Sequence, residues 1–306
     1  MKQVPLGTSG VEVPAMAVGC MRIESLKETE AERFLQSALE LGANFFDHAD
    51  IYGHGACESL FGSVLQRHPE WRSRMLIQSK CGIVPGVMYD CSKKHILEAV
   101  EGSLKRLHTD YLDVLLLHRP DALMEPEEVA EAFDLLHREG KVRYFGVSNQ
   151  KPSQMALLSR FCRQPLMVNQ LQFSLTNSHM ISSGREVNME TEGAVERDGS
   201  VLDYCRQHQV TIQAWSPFQH GFFGGVFLDD PAYPELNQAL QEVAEAHGLT
   251  KTGTAAAWIL RHPAGMQILT GTMKVSRLEE IARAADVELT REEWYRLYRA
   301  AGHILP

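Results

Sequence analysis

The chain alternates short, fully apolar runs with longer segments whose apolar residues recur at helical spacing. Residues 114–117 are a continuous apolar run, which is typical of a strand buried on both faces of a parallel sheet. Residues 29–41 instead place Ala31, Phe34 and Leu35 on one face of a helix. Along the whole chain, the apolar runs predict eight strands, at residues 15–19, 45–47, 75–79, 114–117, 144–147, 166–169, 210–215 and 267–270.

Helical segments separate these strands. The predicted helices cover residues 29–41, 59–66, 92–107, a segment from 126 onward, 152–161, 201–207, 236–246, 254–261 and 277–285, and Ser92 is a predicted N-cap. Strands that alternate with helices over this length predict a (β/α)8 TIM barrel. A doubly wound sheet is the alternative. It would show a Gly-x-Gly-x-x-Gly motif after an early strand, whereas the glycine cluster at 221–225 follows a late strand and has another spacing.

Three segments fall outside this alternation. Residues 4–6 and 11–14 flank a glycine-containing turn and predict an N-terminal β-hairpin that closes the bottom of the barrel. Residues 174–199 form a long polar stretch after a strand, so we expect either a functional lid over the rim or disorder. From residue 290 onward, an amphipathic helix and a short tail are expected to pack on the barrel. Because no linker separates two halves, residues 1–306 are expected to form a single domain.

Composition and charge exclude several classes of function. The 306 residues are 44% hydrophobic, and the formal net charge of -9 argues against a partner that is nucleic acid or an anionic membrane. No apolar run approaches the length of a transmembrane helix, and the first residues lack the apolar run of a signal peptide. Six scattered cysteines without a Cys-x-x-Cys pair are typical of reduced thiols, so a cytoplasmic location is expected.

Polar side chains stand where three of the predicted strands end. Asp47 ends the second strand and Tyr52 follows on a glycine-containing loop, while Lys80 and His118 end the next two strands. Because the carboxyl ends of barrel strands share one rim, these four side chains are expected to lie close together. His54 and Cys57 are residue types that bind metals, but no further pair stands at ligand spacing, so no metal site is predicted.

The motifs around these residues resemble those of the aldo-keto reductases, in particular the bacterial NADP-dependent oxidoreductases among them. The matching motifs follow the family's order over nearly the whole chain, at residues 46–53, 79–82, 116–121, 146–149, 169–170, 214–217, 271–272 and 277–280. Each motif is weak alone, but together they place four catalytic residue types at successive strand ends. The resemblance implies an enzyme that reduces an aldehyde or ketone to an alcohol by hydride transfer from NADPH.

The resemblance also implies a role for each rim residue. Tyr52 would donate the proton to the developing alkoxide, and Lys80 would bring the phenol pKa down from its free value of about 10. Asp47 would hold Lys80 charged and oriented. His118 would hydrogen-bond the carbonyl oxygen and aim it at Tyr52.

A second set of residues matches the family's cofactor contacts. Ser148, Asn149 and Gln170 would bind the nicotinamide carboxamide, Trp215 would stack on the ring, and residues 216–221 would wrap the pyrophosphate. The predicted cofactor-binding set is Gly19, Cys20, Met21, Asp47, Ser148, Asn149, Gln170, Trp215, Ser216, Pro217, Phe218, Gln219, His220, Gly221, Thr272, Lys274, Arg277 and Glu280.

The expected preference for NADPH over NADH depends on the end of the chain. Thr272, Lys274 and Arg277 match the region that holds the 2′-phosphate in the family, and Glu280 matches the adenine contact. The sequence departs from the family at Gly271, where some members have a lysine, and at Ile281, where many have an asparagine. Two cations and a hydroxyl near a helix start still predict NADPH as the cofactor.

Other interpretations stay open at this stage. Asp47 and Lys80 could form a purely structural ion pair, and Ser148 with Asn149 could cap the helix predicted at 152–161. A non-catalytic NADP-binding regulatory subunit of the same fold is the second class of function. A Schiff-base lyase with Lys80 as the nucleophile is the third. The intact quartet of rim residues favours the carbonyl reductase.

The expected partner is a small-molecule carbonyl substrate. In the family that the chain resembles, loops over the rim set substrate choice, and here these are residues 21–25, 82–89, 119–125 and 174–199. They mix apolar side chains with Arg119. An aromatic or aliphatic aldehyde, or a small dicarbonyl, fits this composition.

Overall fold

Eight parallel strands close into a barrel in the computed structural model, which describes residues 1–221 and 224–304. The barrel consists of β3, β4, β5 and β8 to β12. In chain order, all strands of the described residues are β1 (Gln3–Pro5), β2 (Glu12–Pro14), β3 (Met16–Gly19), β4 (Phe45–Asp47), β5 (Leu76–Cys81), β6 (Ile83–Val84), β7 (Met88–Tyr89), β8 (Leu112–Leu117), β9 (Val142–Ser148), β10 (Leu166–Gln172), β11 (Thr211–Trp215) and β12 (Gln267–Thr270). Strands β1–β2 and β6–β7 form two separate antiparallel hairpins. The predicted (β/α)8 barrel is confirmed, and the doubly wound alternative is wrong.

Helices cover the outside of the barrel. They are α1 (Glu28–Glu40), α2 (Ala56–Arg67), α3 (Lys93–Leu107), α4 (Pro126–Arg138), α5 (Pro152–Phe161), α6 (His179–Arg185), α7 (Val201–Gln207), α8 (Pro234–His247), α9 (Lys251–Leu260), α10 (Val275–Ala284) and α11 (Arg291–Ala300). Ser92 is the N-cap of α3 as predicted, because the His95 N–H donates to its hydroxyl oxygen at 3.3 Å.

The barrel closes between its first and last strands. Strand β3 pairs with β4 through Val18 and Phe46, and β12 pairs with β3 through Ile268 and Met16. Strand β8 shows how the barrel is built, since all six of its residues are buried between the barrel interior and the helical layer. The parallel strands therefore present their carboxyl ends at one rim, which is where the candidate chemistry lies.

The N-terminal hairpin covers the opposite end of the barrel, as predicted. The Thr211 hydroxyl, at the start of β11, donates to the Pro5 carbonyl at 2.6 Å and accepts from the Gly7 N–H at 2.7 Å. A Cβ atom on Gly7 would lie 2.8 Å from the Met167 backbone, and its φ is +53°. Only glycine fits this close, left-handed turn, so the hairpin is seated tightly on the barrel floor.

The long polar segment at 174–199 is ordered around α6 and packs against the C-terminal helix. The Ser182 and Tyr298 hydroxyls lie 2.7 Å apart, and Arg185 donates to the Ile304 carbonyl at 2.7 Å. The amphipathic helix predicted from residue 290 is confirmed as α11, whose Trp294 ring stacks on Trp258 with centroids 4.8 Å apart. The expected packing of residues 305–306 lies outside the described part of the chain.

The described residues contain neither a membrane-spanning helix nor a candidate metal cluster. No helix in that part of the chain combines the length and hydrophobicity that crossing a membrane requires. Within the same residues, no cluster of three or more histidine, cysteine or acidic side chains is placed to hold a metal ion. The six cysteines are buried free thiols.

Candidate active site

The barrel brings the four predicted rim residues together. Asp47 is the last residue of β4, Lys80 lies near the end of β5, and His118 directly follows β8. Tyr52 stands on the loop after β4, whose course is tied to β5 by the hydrogen bond from the Asp50 N–H to the Lys80 carbonyl at 3.1 Å. Adjacent parallel strands thus place an acid, an ammonium and an imidazole side by side, with the phenol above them.

Lys80 is the centre of this group. Its ammonium donates to Asp47 Oδ2 at 2.8 Å, to the His48 carbonyl at 2.6 Å and to Tyr52 Oη at 3.1 Å. Lys80 is fully buried and Asp47 is 1% exposed, so water does not screen this ion pair. The three acceptors and the raised pKa of Lys80 favour the protonated amine, which has no lone pair for the nucleophilic attack that a Schiff-base lyase needs.

Burial and charge shift the pKa of both members of the Lys80–Tyr52 pair upwards. Burial would lower the pKa of Lys80, but the Asp47 carboxylate and Tyr52 together raise it above its ordinary value. Burial raises the pKa of Tyr52, Lys80 lowers it, and Asp47 raises it again, so that it lies above the ordinary value. The predicted effect of Lys80 on the phenol is confirmed in direction, but the expectation of a net lowered tyrosine pKa is wrong because burial outweighs it.

The two histidines near the ion pair are held neutral. Burial, followed by the charges of Lys80 and Arg119, lowers the pKa of His118 well below its ordinary value. The His118 ring meets the Tyr52 ring edge to face, with centroids 5.9 Å apart. Burial and the Lys80 charge lower the pKa of His48 to about 3, and its ring packs on Phe61. A neutral His118 beside Tyr52 offers one ring N–H as a hydrogen-bond donor.

A cleft of about 1250 Å³ opens above this group and runs across the rim. The predicted residues that line it are Gly19, Met21, Asp47, Tyr52, His118, Ser148, Asn149, Gln170, Trp215, Ser216, Pro217, Phe218, Gln219, Thr272, Lys274 and Arg277. The cleft therefore extends from the group of Asp47, Tyr52, Lys80 and His118 to the last barrel loop. Five predicted residues are described by the structure but do not line it: Cys20, Lys80, His220, Gly221 and Glu280.

These five residues have other surroundings. Lys80 lies behind Tyr52, Cys20 is buried with its Sγ facing the Val18 carbonyl, and Gly221 accepts a hydrogen bond from Gln172 through its carbonyl. The Glu280 carboxylate accepts from the Thr250 hydroxyl at 2.9 Å. His220 lies near Asp230, with 3.9 Å between Nε2 and Oδ2.

Amide and hydroxyl groups line the middle of the cleft next to an indole ring. The Trp215 indole N–H donates to Asn149 Oδ1 at 3.2 Å, and Asn149 donates to the Ser148 hydroxyl at 2.7 Å. The N-cap of α5 is Lys151, so the interpretation of Ser148 and Asn149 as helix caps is wrong. Their polar atoms belong to the wall of the cleft.

The far end of the cleft carries positive charge. Lys274 occupies the N-cap position of α10 and Arg277 lies in its first turn, and both side chains are exposed. The Lys274 N–H donates to the Thr272 hydroxyl at 3.2 Å. The free N–H groups of a helix start add to these cations, so this end suits an anion.

Two of the loops expected over the rim, residues 21–25 and 82–89, contribute side chains to the cleft wall. Arg22 follows β3 and its guanidinium donates to the Gly271 carbonyl at 3.1 Å, which brings another cation to the same end. The hairpin β6–β7 also lines the cleft with largely apolar side chains, and Val87 in its turn is 75% exposed. The segment 174–199 was expected above the rim, but none of its residues, all of which the structure describes, lines the cleft.

Comparisons with known proteins agree on one family. The family model described as "Aldo/keto reductase family" matches residues 15–301. "Oxidoreductase YdhF" from Escherichia coli (strain K12) is 34% identical over 317 aligned positions that cover 100% of both chains. "6-dehydroglucose reductase" from Novosphingobium aromaticivorans is 35% identical and covers 98% of this chain and 96% of that protein.

Solved structures show the same relationship. A crystal structure of the thermostable aldo-keto reductase Tm1743, in complex with the inhibitor epalrestat, superposes with a TM-score of 0.79. The two chains are 27% identical, and the match covers 98% of this chain and 100% of the other.

Proposed function

Because this chain belongs to the aldo/keto reductase family, and its relatives are named as oxidoreductases, we propose that it is an enzyme that reduces an aldehyde or ketone to an alcohol with NADPH. The observation that carries the proposal is the 3.1 Å hydrogen bond from the buried Lys80 ammonium to Tyr52 Oη at the floor of an open cleft. It couples a proton donor to a charge that stabilises its conjugate base. We also propose that residues 1–306 act as a single domain in the cytoplasm.

In the proposed reaction, Tyr52 supplies the proton. The raised pKa of Tyr52 keeps the phenol protonated at neutral pH, which is the form that an acid must have. The adjacent Lys80 stabilises the phenolate that forms as the proton leaves, and Asp47 holds the ammonium in place. Proton transfer to the developing alkoxide then occurs where the protein has already arranged the countercharge.

His118 orients the substrate in this proposal. Its pKa is lowered well below the ordinary value, so the ring is neutral and one nitrogen carries a hydrogen. That N–H would donate to the carbonyl oxygen and direct it towards Tyr52, whose ring lies edge to face with the imidazole. The neutral donor adds no competing positive charge beside Lys80.

The residues along the cleft fit a nicotinamide dinucleotide. NADPH supplies the hydride when it is bound, and this chain's own groups would hold it. Ser148, Asn149 and Gln170 present hydroxyl and amide groups of the kind that bind a carboxamide, and Trp215 offers an aromatic face. Residues 216–219 line the next part of the cleft, where backbone and hydroxyl groups would bind the pyrophosphate. Among the predicted contacts, Gly19 and Met21 also line the wall.

The positive end of the cleft supports NADPH over NADH. A 2′-phosphate carries close to two negative charges, and Arg277 and Lys274 would meet it at the start of α10. A charged hydrogen-bonded site of this kind contributes roughly 1.5–3 kcal/mol, or roughly tenfold to a hundredfold in affinity. Thr272 would add a hydroxyl. Glu280 stays a predicted adenine contact, and Cys20, His220 and Gly221 stay predicted cofactor neighbours.

A panel of carbonyl substrates tests the proposal directly. Purified protein is mixed with aromatic aldehydes, aliphatic aldehydes and small dicarbonyls, and the absorbance of NADPH or NADH is followed. Consumption of NADPH that requires a carbonyl substrate supports the proposal. NADPH binding without turnover of any carbonyl would instead favour the non-catalytic regulatory subunit of the same fold.

A further inference from the structure

A chain of glutamine side chains crosses the barrel interior beneath Asp47. Gln78 lies on β5, Gln170 on β10, Gln213 on β11 and Gln267 on β12. Gln170 is 4% exposed and the other three are fully buried. Branched apolar residues usually fill the interior of such a barrel, and a buried amide is costly unless its hydrogen bonds are made. The presence of four buried amides inside the barrel therefore requires an explanation.

The hydrogen bonds fix which way each glutamine amide in this series points, beginning at the barrel floor. The Pro14 carbonyl can only accept, so the Gln267 amide must donate to it, which it does at 2.6 Å. The Gln267 oxygen is thereby turned towards β11, where it accepts from Gln213 Nε2 at 2.9 Å. A backbone carbonyl thus sets which way the next two amides point.

The direction continues through a reciprocal pair. Gln78 Nε2 donates to Gln213 Oε1 at 2.8 Å, and Gln213 Nε2 donates back to Gln78 Oε1 at 3.2 Å. Gln170 Nε2 also donates to Gln213 Oε1, at 3.0 Å. Gln213 accordingly holds both of the amides that lie directly below the catalytic group.

The chain ends on the catalytic carboxylate. Asp47 Oδ1 accepts from Gln78 Nε2 at 2.6 Å and from Gln170 Nε2 at 3.1 Å, while Lys80 takes Oδ2. Both hydrogens of the Gln170 side-chain amide are therefore donated to Asp47 and Gln213, and its side-chain oxygen is left for a ligand in the cleft. The carboxylate that orients Lys80 and the amide proposed to bind the cofactor share the same supports.

We propose that Gln78 and Gln213 are positioning residues for the carbonyl reduction, which hold the Asp47 carboxylate beneath Lys80 and turn the Gln170 oxygen towards the cofactor. This inference rests on the proposed function. Neither glutamine lines the cleft, so each acts through Asp47, Lys80 and Gln170. The same chain then links the proton donor to the proposed nicotinamide site, which a row of apolar side chains would leave independent.

Three substitutions along the chain test the proposal. Gln78→Met, Gln213→Met and Gln267→Met each keep the side-chain length and remove the amide. Gln78→Met should lower kcat roughly 10- to 100-fold, the loss expected when a catalytic group is displaced. Gln213→Met should lower kcat less and also weaken NADPH binding severalfold, because Gln170 loses a support. Gln267→Met removes the anchor farthest from Asp47, so it should lower kcat the least of the three variants.

A second readout needs neither cofactor nor turnover. The ionisation of Tyr52 is followed by tyrosinate absorbance, with Tyr52→Phe subtracted to remove the other tyrosines. Burial raises the pKa of Tyr52 most; of the titratable groups around it, Lys80 lowers this pKa, Asp47 and Cys20 raise it, and the neutral His118 ring meets the phenol edge to face. A carboxylate that has lost the Gln78 donor acts more strongly on the phenol, so Gln78→Met should move the Tyr52 ionisation to higher pH.

Two results would overturn the inference. One is a folded Gln78→Met protein with wild-type kcat and an unmoved Tyr52 ionisation. The other is an equal loss of kcat in all three variants that follows the loss of thermal stability, because this would mean that the glutamines only support the fold. If Gln78→Met does not fold, Gln213→Met decides between the same outcomes. Absence of any NADPH-dependent reduction by the wild type would contradict the proposed function, while the Tyr52 titration would still test the positioning role.

Discussion

The two ends of the cleft hold their charges in opposite ways. At the strand ends, Lys80 and Asp47 are withdrawn from water, and every hydrogen of the ammonium has an acceptor. At the start of α10, Lys274 and Arg277 are exposed to solvent. Charged groups are therefore buried and fixed by hydrogen bonds at one end of the cleft, and exposed to solvent at the other.

This difference in burial suggests different roles for the two ends: the buried end suits proton transfer, and the exposed end suits ligand binding. A buried ion pair is unscreened and holds its geometry, which is what a proton donor needs at the moment of reaction. Exposed cations are screened by salt within about 8–10 Å and can adapt to the ligand, which suits recognition of a phosphate. Changes at the buried end should therefore appear in kcat and in stability, and changes at the exposed end in cofactor affinity.

The largest expected effect is that of Tyr52→Phe. Loss of the phenol proton should lower kcat by roughly 10²–10⁴-fold, the contribution typical of general acid catalysis, with NADPH affinity nearly unchanged. Stopped-flow or steady-state assays and a fluorescence titration measure the two quantities. Tyr204→Phe on α7, away from the cleft, is the control and should behave as wild type. A Tyr52→Phe enzyme with near-wild-type kcat would show that another group supplies the proton.

Lys80→Met should lower kcat by about 10²-fold, because the phenolate loses its countercharge. Reduction needs protonated Tyr52, so activity falls as pH rises through the Tyr52 pKa. Lys80 lowers that pKa, and its removal should therefore move the fall to higher pH.

The same substitution should also lower the free energy of unfolding by roughly 3–5 kcal/mol, because Asp47 keeps a buried charge without its partner. Circular dichroism and a denaturant titration check the fold, and exposed Lys151→Met is the control. An unchanged pH–rate profile would refute the coupling between Lys80 and Tyr52.

Arg277→Ala tests the exposed end of the cleft. NADPH affinity should fall by roughly tenfold to a hundredfold and NADH affinity should stay constant, since only NADPH carries the 2′-phosphate. The preference for NADPH in the wild type should also shrink as salt rises from 0.05 to 0.5 M, by about the screening expected for exposed charges. Arg283→Ala, in the last turn of the same helix, is the matched control. Equal weakening of both cofactors in Arg277→Ala would exclude Arg277 from the 2′-phosphate site.

The smallest expected effect concerns the stability cost of buried charge. Burial, with the nearby Glu58 carboxylate, raises the pKa of Asp50 to about 7, against an opposing effect of Arg106. The folded protein therefore binds more protons than the unfolded chain between roughly pH 4 and 7, and its stability should fall as pH rises through this window. Asp50→Asn should remove this fall. Melting temperatures at pH 5.5 and 8 should differ by a few degrees more in wild type than in the variant, and exposed Asp110→Asn should match wild type.

The sequence predicted the buried end of the cleft well because strand order determines it. Asp47, Lys80 and His118 follow successive apolar runs, and the rule that parallel strands present their carboxyl ends at one rim brings them together. The chemistry proposed for these residues and Tyr52 then follows from residue type. The net pKa of Tyr52 could not be predicted in this way, since it depends on how completely the folded chain excludes water around the phenol.

The other features of the cleft and of the barrel interior could not be predicted without the folded structure and the register of its closed barrel. A glutamine within an apolar run has no signature of its own, so the meeting of Gln78 with Gln213, 135 positions later, appears only when the strands are in place. The hairpin β6–β7 has two-residue strands, which are too short to show a period. The polar composition of 174–199 was consistent with a lid, but its Ser182 hydroxyl instead meets Tyr298 on α11.

The pairing of β3 with β12 also orders events during synthesis. Asp47 and Lys80 are 33 positions apart, on neighbouring strands that leave the ribosome in quick succession. Arg22 and Gly271, which meet across the barrel seam, are 249 positions apart. Contacts between distant positions form only after the long loop between them has closed. A nascent chain that stops before β12 therefore already contains Tyr52 and Lys80, but it lacks the positive end of the cleft, which Thr272, Lys274 and Arg277 supply after the last strand.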